Sequence, residues 1–200
     1  KVALWIEGHS KGKPLTFLDH HIKCGDSLVG VFDLDMLKKG IPDDAYKPVE
    51  GDDKEIAKLL KKKNKEERKG LAYLFPSVAK PADLEAMAKD FSAFATLEER
   101  KAADVRAKSE IYRQIHGPET DWWHLWMACN LWTAAFFAPI TEGKASFIPT
   151  TDTVRTYLRN PKAVDPRTVA LAWETAQKHC FFHWPLEFPE VFHRRMANGE

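Results

Sequence analysis

Apolar residues recur every three or four positions from about residue 43 to residue 180, which is the spacing of one face of a helix. Asp52 can cap a helix that runs to about Lys69, and the pattern places its buried face at Ile56, Leu59 and Leu60. A further helix is predicted from about Pro81, with Leu84, Met87, Phe91 and Phe94 on one face, and the next begins at a Thr96–Glu99 capping box. Others are predicted over about Glu119–Phe137, from a cap at Asp152 to Arg159, and from Asp165–Pro166 towards Cys180. The pattern therefore predicts a mainly α protein.

The two ends of the chain follow other patterns. A mostly apolar run from Leu15 to Val31 is typical of a buried strand and its approach in an α/β fold. We interpret His21–Cys24 as this strand, which would point His20 and His21 to opposite faces, one buried and one exposed. The stretch FFHWPLEFPEVF at the other end contains two prolines, which exclude a long regular helix. We expect a packed loop there, leading to a short turn.

The most apolar stretch is WWHLWMACNLWTAAFFAPI, residues 122–140. It is long enough to cross a bilayer, but it contains His124, Asn130 and Thr133, and its tryptophans lie throughout the middle instead of at the edges. We therefore predict a buried core helix and no membrane partner. Its tryptophans are interpreted as core residues, with stacking platforms for a nucleic-acid base as the alternative.

Composition narrows the possibilities further. A hydrophobic fraction of 44% and an aromatic fraction of 12% supply enough apolar surface for a folded core. The 30 basic and 29 acidic residues leave a net charge of +1, so any contact with nucleic acid must come from a local patch. The three cysteines lie far apart without a C-x-x-C motif, and the first residues do not resemble a signal peptide. A cytoplasmic protein with reduced thiols is expected.

Asp26 is the residue most suggestive of a binding site. In the predicted arrangement it lies just past the carboxyl edge of a strand, where open α/β sheets bind their ligands. Gly25 permits a close approach of the backbone, and a carboxylate there can accept a hydrogen bond from an amino group such as N6 of adenine. An ordinary turn is the alternative interpretation.

Lys61, Lys62 and Lys63, in the run KLLKKKNKEERK, are candidate contacts to a DNA backbone. The interleaved glutamates equally suit a solvated helix face. His179 and His183 have the spacing of some zinc ligands, but further ligands are not evident nearby, so no metal is expected. The sequence contains no P-loop, no G-x-G and no nucleophile motif, so no catalytic residue is assigned.

Three stretches resemble the large adenine-specific (N6) DNA methyltransferases of fused restriction-modification and phage-defence systems. They are ALWIEG with PLTFLDHHIKCGDSLVG near the start, MACNLWTAAFF in the middle and FFHWPLEFPEVF at the end. The resemblance implies S-adenosylmethionine as cofactor, DNA as substrate, and Asp26 as the carboxylate near the adenine ring of the cofactor. It also implies a helical insertion domain at 33–180, a remnant of the methyltransferase Rossmann-like sheet at 1–32, and a loop at 181–200 leading towards the catalytic motif.

Two motifs of that family do not occur in these 200 residues: the glycine-rich methionine-binding loop and the catalytic Asn-Pro-Pro-aromatic tetrapeptide. We therefore expect the segment alone to be inactive, with DNA and other domains of the same chain as its partners. An edge-to-edge homodimer would be an artefact of the missing sheet neighbours. A non-catalytic helical module that binds DNA or a partner remains the alternative, and a structural spacer is a third reading.

Overall fold

The computed structural model describes residues 2–8, 14–74, 87, 89–91, 93–94 and 96–192, with only the backbone described at 71–74. The α-helices with defined bounds in these ranges are α1 (Val2–Glu7), α2 (Asp35–Lys39), α3 (Lys54–Leu74), α4 (Ala102–Ile115), α5 (Asp121–Ala134), α6 (Thr151–Arg159), α7 (Pro166–Lys178) and α8 (Trp184–Glu187). The described residues 87, 89–91 and 93–94 are helical as well. Short 3₁₀ helices lie at Asp43–Tyr46, Ala145–Phe147 and Pro161–Ala163. The expected mainly α protein is confirmed for the part of the chain that is described.

The predicted strand at His21–Cys24 is wrong. The backbone turns there, because the amides of His21 and Ile22 both donate to the carbonyl oxygen of Leu18, at 3.0 and 2.9 Å. Across the described ranges the only β-type pairing is an isolated parallel bridge between Asp26 and Phe181. His20 is buried and His21 is exposed, as expected, but their rings lie 3.8 Å apart instead of on opposite faces.

The helix predicted with Asp52 as its cap is present, but α3 begins at Lys54, one residue later than such a cap would place it. Asp53 Oδ1 accepts hydrogen bonds from the amides of Glu55 and Ile56, so Asp53 caps the exposed amides at the start of α3. Asp52 instead uses its carboxylate to accept from the amide of Ile140, at 2.9 Å. The buried face of α3 runs through Ala57, Leu60 and Asn64. Leu59 is 67% exposed, so the prediction that it lies on the buried face is wrong.

The prediction of a capping box at Thr96 and Glu99 is also wrong. Thr96 Oγ1 donates to the carbonyl oxygen of Ala93, and α4 begins only at Ala102. Glu99 instead accepts from the amide of Phe17, at 2.9 Å, and pairs with the buried Lys108 at 2.8 Å. Of the helix predicted just before it, Pro81 and Leu84 lie outside the described residues, while Met87, Phe91 and Phe94 are buried.

The tryptophan-rich helix α5 lies at the centre of the core, between α6 and α7. Trp122 and Trp132 are buried, and their indole N–H groups donate to the carbonyl oxygens of Leu186 and Gly40. Trp123 and Trp126 are half-buried and contact the exposed Trp173 of α7. The core interpretation is therefore confirmed for two of the four tryptophans. None of the helices in the described ranges has the length and apolar character needed to span a membrane.

The predicted cap at Asp152 is wrong, because α6 is capped by Thr150 and already includes Asp152. The predictions for α7 and for the stretch after it agree with the structure. Asp165 caps α7 by accepting from the amide of Arg167, at 2.9 Å, and Pro166 occupies the first helical position. In the FFHWPLEFPEVF stretch, the chain forms a packed loop and the short helix α8.

Candidate functional site

Asp26 lies in an exposed turn formed by residues 26–29, which we call the Asp26 loop. Asp26 Oδ1 accepts a hydrogen bond from the amide of Leu28, at 3.0 Å, and the Asp26 carbonyl oxygen accepts from the amide of Val29. The carboxylate is exposed, and the side chain of Leu28 is 83% exposed beside it. The loop thus presents a carboxylate oxygen and an apolar side chain on the same short stretch of surface.

The segment after α7 holds this loop in place. Cys180 adopts a positive φ of 50°, which turns the chain back towards residue 26. The amide of Asp26 then donates to the Cys180 carbonyl oxygen at 2.7 Å, and the amide of Phe182 donates to the Val29 carbonyl oxygen at 2.8 Å. Trp184 Nε1 donates to the Ser27 carbonyl oxygen at 3.0 Å, across 157 positions of sequence. Three backbone groups of the loop are therefore fixed by hydrogen bonds from or to residues near the opposite end of the chain.

Two glycines allow this close approach. A Cβ atom at Gly30 would lie 2.0 Å from the carbonyl oxygen of Phe182, and one at Gly25 would lie 2.7 Å from the Phe182 ring. Any side chain at Gly30 would collide with backbone that has no freedom to rotate away. The glycines of the stretch CGDSLVG are therefore explained by packing against the stretch FFHW.

His183 anchors the same contact from within the core. It is fully buried, its Nδ1 accepts a hydrogen bond from the amide of Val31 at 3.0 Å, and its Nε2 lies 2.9 Å from Asn130 Oδ1 in α5. Burial lowers the pKa of His183 to about 3, so the ring is neutral and donates from Nε2. Both ring nitrogens are occupied, which leaves no lone pair for a metal.

An ion pair that is largely shielded from water holds the residues just before the Asp26 loop. Lys23 Nζ lies 3.1 Å from Glu187 Oε2 of α8, and it also donates to the hydroxyl of Tyr112 in α4. The Lys23 and Glu187 side chains are only 7% and 17% exposed, so the pair is shielded from water. Residues 23–31 are thus held by α4, α5 and the 180–187 segment together.

No protein-family model, curated protein or solved structure matches this chain. The resemblance to adenine-specific methyltransferases therefore stands on the three quoted stretches alone. Two of them, CGDSLVG and FFHWPLEF, are the segments that meet at the Asp26 loop.

The structure also places the lysine and histidine candidates predicted from the sequence. Lys61 and Lys62 are exposed on α3, whereas Lys63 lies on a different side of the helix and its Nζ is 3.9 Å from Glu67 Oε1. His179 packs its ring against Phe137, at 4.8 Å between centroids, and shares no site with His183. Within the described ranges there is no group of three or more His, Cys, Asp or Glu side chains placed to hold a metal ion.

Sequence reasoning missed the residues that support Asp26, namely Gly30, His183 and Trp184. Their role depends on contacts across more than 150 positions, such as Val31 to His183 at a separation of 152. The one available signal was the unusual density of aromatic residues and prolines in FFHWPLEF, which predicted a packed loop but not its partner.

Proposed function

We propose that these residues belong to an S-adenosylmethionine-dependent DNA methyltransferase that modifies N6 of adenine, and that Asp26 binds the adenine ring of the cofactor. The observation that carries the proposal is the docking of the 180–184 segment on the Asp26 loop. Two stretches that resemble the same family, at opposite ends of the chain, thereby support one exposed carboxylate.

The chemistry of the loop suits this role. One oxygen of Asp26 holds the turn through the Leu28 amide, and the other is available to accept from an exocyclic amino group such as N6 of adenine. Leu28 provides an exposed apolar surface next to that oxygen, which suits the edge or face of a purine ring. The three hydrogen bonds to the 180–184 segment keep the loop in position before the cofactor arrives, which reduces the entropy lost on binding.

The remaining chemistry lies in motifs that these 200 residues do not contain. S-adenosylmethionine supplies the methyl group, and the family resemblance implies a glycine-rich loop for its methionine part and an Asn-Pro-Pro-aromatic motif for the target adenine. Residues 1–200 contribute the adenine end of the cofactor site in this proposal. On their own they are expected to transfer no methyl group, because nothing in them positions the acceptor amine.

The test is cofactor binding by the protein that carries these residues together with those two motifs. Asp26→Asn keeps an oxygen for the Leu28 amide but replaces the free oxygen with an NH₂ group, which faces the N6 donor with another donor. We expect the dissociation constant of S-adenosylmethionine, measured by calorimetry, to rise roughly tenfold or more, since one hydrogen bond to a charged group is lost.

Asp33→Asn is the matched control. Asp33 is also exposed, and its Oδ1 accepts from the amide two residues on, at 2.9 Å, as Asp26 does. Among the described residues, Asp33 forms no hydrogen bond with the 180–184 segment. Unchanged binding by Asp26→Asn, or equal loss in both variants, would remove Asp26 from the cofactor site.

A further inference from the structure

Helix α3 carries a continuous row of lysines on its exposed side. Successive residues of an α-helix are rotated by 100°, so residues spaced by three, four, seven, eight, eleven or fifteen positions return to one side. Lys54 and the lysines at such spacings from it, which we call the lysine stripe, are Lys54, Lys58, Lys61, Lys62, Lys65 and Lys69. All six are exposed, and they fall within an arc of about 100° over a length of about 22 Å.

The stripe differs from the run of lysines seen in the sequence. Lys63 lies about 150° round the helix from the middle of the stripe, near Glu67. The buried residues Ala57, Leu60 and Asn64 occupy the side that packs against the Asp43–Tyr46 turn and α6. Folding therefore separates Lys61 and Lys62 from Lys63 and joins them to lysines up to two turns away.

Most lysines of the stripe form no ion pair within the described part of the chain. Lys58 pairs with Glu55 at 2.6 Å, but both side chains are more than 70% exposed, so water and salt screen that pair. Within the described part of the chain, the side chains of the other five lysines form no ion pair or hydrogen bond. Arg68, the single arginine in the sequence of α3, forms an ion pair with Asp43.

Repulsion between neighbouring lysines of the stripe weakens the helix. Lysines four residues apart, such as Lys61 with Lys65 and Lys65 with Lys69, repel each other and each such pair costs a few tenths of a kcal/mol. Glu66 lies at the edge of the stripe, four residues after Lys62 and three before Lys69, and offsets part of this repulsion, whereas Glu67 accepts from Thr150 and from the amide of Asp152. The six lysines still outnumber Glu55 and Glu66 beside them, so the row keeps a net positive charge that suits an anion outside the protein.

The composition of the stripe indicates which anion. Protein interfaces are depleted in lysine and are organised around buried aromatic or arginine side chains, and the stripe contains neither. A membrane-binding amphipathic helix needs a free apolar face, but the apolar face of α3 is buried in the core. Regularly spaced ammonium groups suit a polymer of phosphates, which rewards each lysine by releasing a counterion.

We propose that the lysine stripe binds the phosphodiester backbone of double-stranded DNA without reading its sequence. The choice of DNA rests on the proposed function, whereas the geometry of the stripe does not. Its contribution is to hold the duplex against α3, on a surface distinct from the Asp26 loop.

The test compares DNA affinity in two variants of equal charge. The stripe variant carries Lys→Gln at Lys61, Lys62, Lys65 and Lys69. The matched control carries Lys→Gln at the exposed lysines Lys39, Lys47, Lys144 and Lys178, none of which lies on α3. Because glutamine and lysine have similar helix propensities, α3 is retained, and a stripe variant with Lys→Arg at the same four positions keeps the charge as well.

Affinity for a fluorescent duplex is measured by anisotropy over a range of salt concentrations. The stripe variant is expected to bind roughly tenfold or more weakly at moderate salt, and the slope of log affinity against log salt to become shallower by about three to four. The Lys→Arg variant and the control should keep the wild-type slope. Lys63→Gln alone should have no effect, whereas Lys62→Gln alone should reduce the slope by about one.

Equal binding by the wild type and the stripe variant would overturn the inference, as would an equal loss in the control. Wild-type binding to polyglutamate as tight as to DNA would overturn the choice of DNA. The readout does not depend on methyl transfer. A stripe-dependent affinity in a protein that never methylates adenine would therefore refute the proposed function and leave the stripe intact.

Discussion

At the scale of single residues, the Asp26 loop shows how much of a site depends on groups that carry no chemistry. The sequence predicts that Asp26 follows a strand, whereas the structure has a turn in place of that strand. What holds the carboxylate is a set of backbone hydrogen bonds to residues 180–184. Gly30 makes these possible because the Phe182 carbonyl oxygen occupies the space of its missing side chain.

Replacing Gly30 by alanine should therefore destabilise the protein. A Cβ atom 2.0 Å from the Phe182 carbonyl oxygen cannot be accommodated without moving the 180–184 segment. We expect the free energy of unfolding, measured by urea denaturation, to fall by about 3 kcal/mol. Gly143→Ala is the control, since nothing lies within 4 Å of the added atom there, and its effect should stay within about 0.5 kcal/mol. Similar stabilities for the two variants would show that the close approach at Gly30 is not rigid.

At the scale of elements, helices with regular apolar spacing and a strong cap could be predicted, and irregular segments could not. The Asp165–Pro166 start of α7 and the core position of α5 followed from local sequence, because caps and apolar faces are set by near neighbours. Glu99 was misassigned to a capping box because its true partners, Phe17 and Lys108, are decided by tertiary packing. Likewise, an apolar run such as 15–31 can be buried without being a strand, since periodicity does not show whether a neighbouring strand exists.

The junction between α5 and the Asp26 loop should be sensitive to acid through His183. The pKa of this histidine is about 3 in the folded protein because of burial, against about 6.5 when unfolded. Between these values the unfolded chain binds a proton that the folded chain does not, so stability is lost as the pH falls below about 6.5 and is unaffected above it. His183 contributes a slope of at most about 1.4 kcal/mol per pH unit. Burial also lowers the pKa of His20 and His116 to about 4, so both add to the same trend.

The measurement is the free energy of unfolding from urea curves at pH values between about 7.5 and about 5. His183→Gln removes the titrating group and should give a shallower dependence on pH than the wild type, whatever its absolute stability. Gln177→Ala, at an exposed residue of α7 that does not ionise, should keep the wild-type slope. Identical slopes for the wild type and His183→Gln would contradict the assignment of His183 as a buried neutral group.

At the scale of the whole molecule, the described parts form a helical core to which both ends of the chain contribute. Val31 and Leu186 pack in the same buried cluster as α5, although the sequence suggested an α/β edge before residue 33 and a loop after residue 180. The mainly helical character was predictable from periodicity alone. The division into an insertion and flanking segments, and the function it implies, remain proposals that rest on resemblance and on the docking of the two end segments.

The most direct test of that function is methyl transfer by the protein that carries these residues with the glycine-rich loop and the Asn-Pro-Pro-aromatic motif. Duplex DNA is incubated with S-adenosylmethionine labelled on its methyl group, digested to nucleosides and separated. We predict label in N6-methyladenine, strongly reduced by Asp26→Asn and unchanged by Asp33→Asn. Label in a different nucleoside, or none in DNA although the cofactor binds, would contradict the assignment as an adenine-specific DNA methyltransferase.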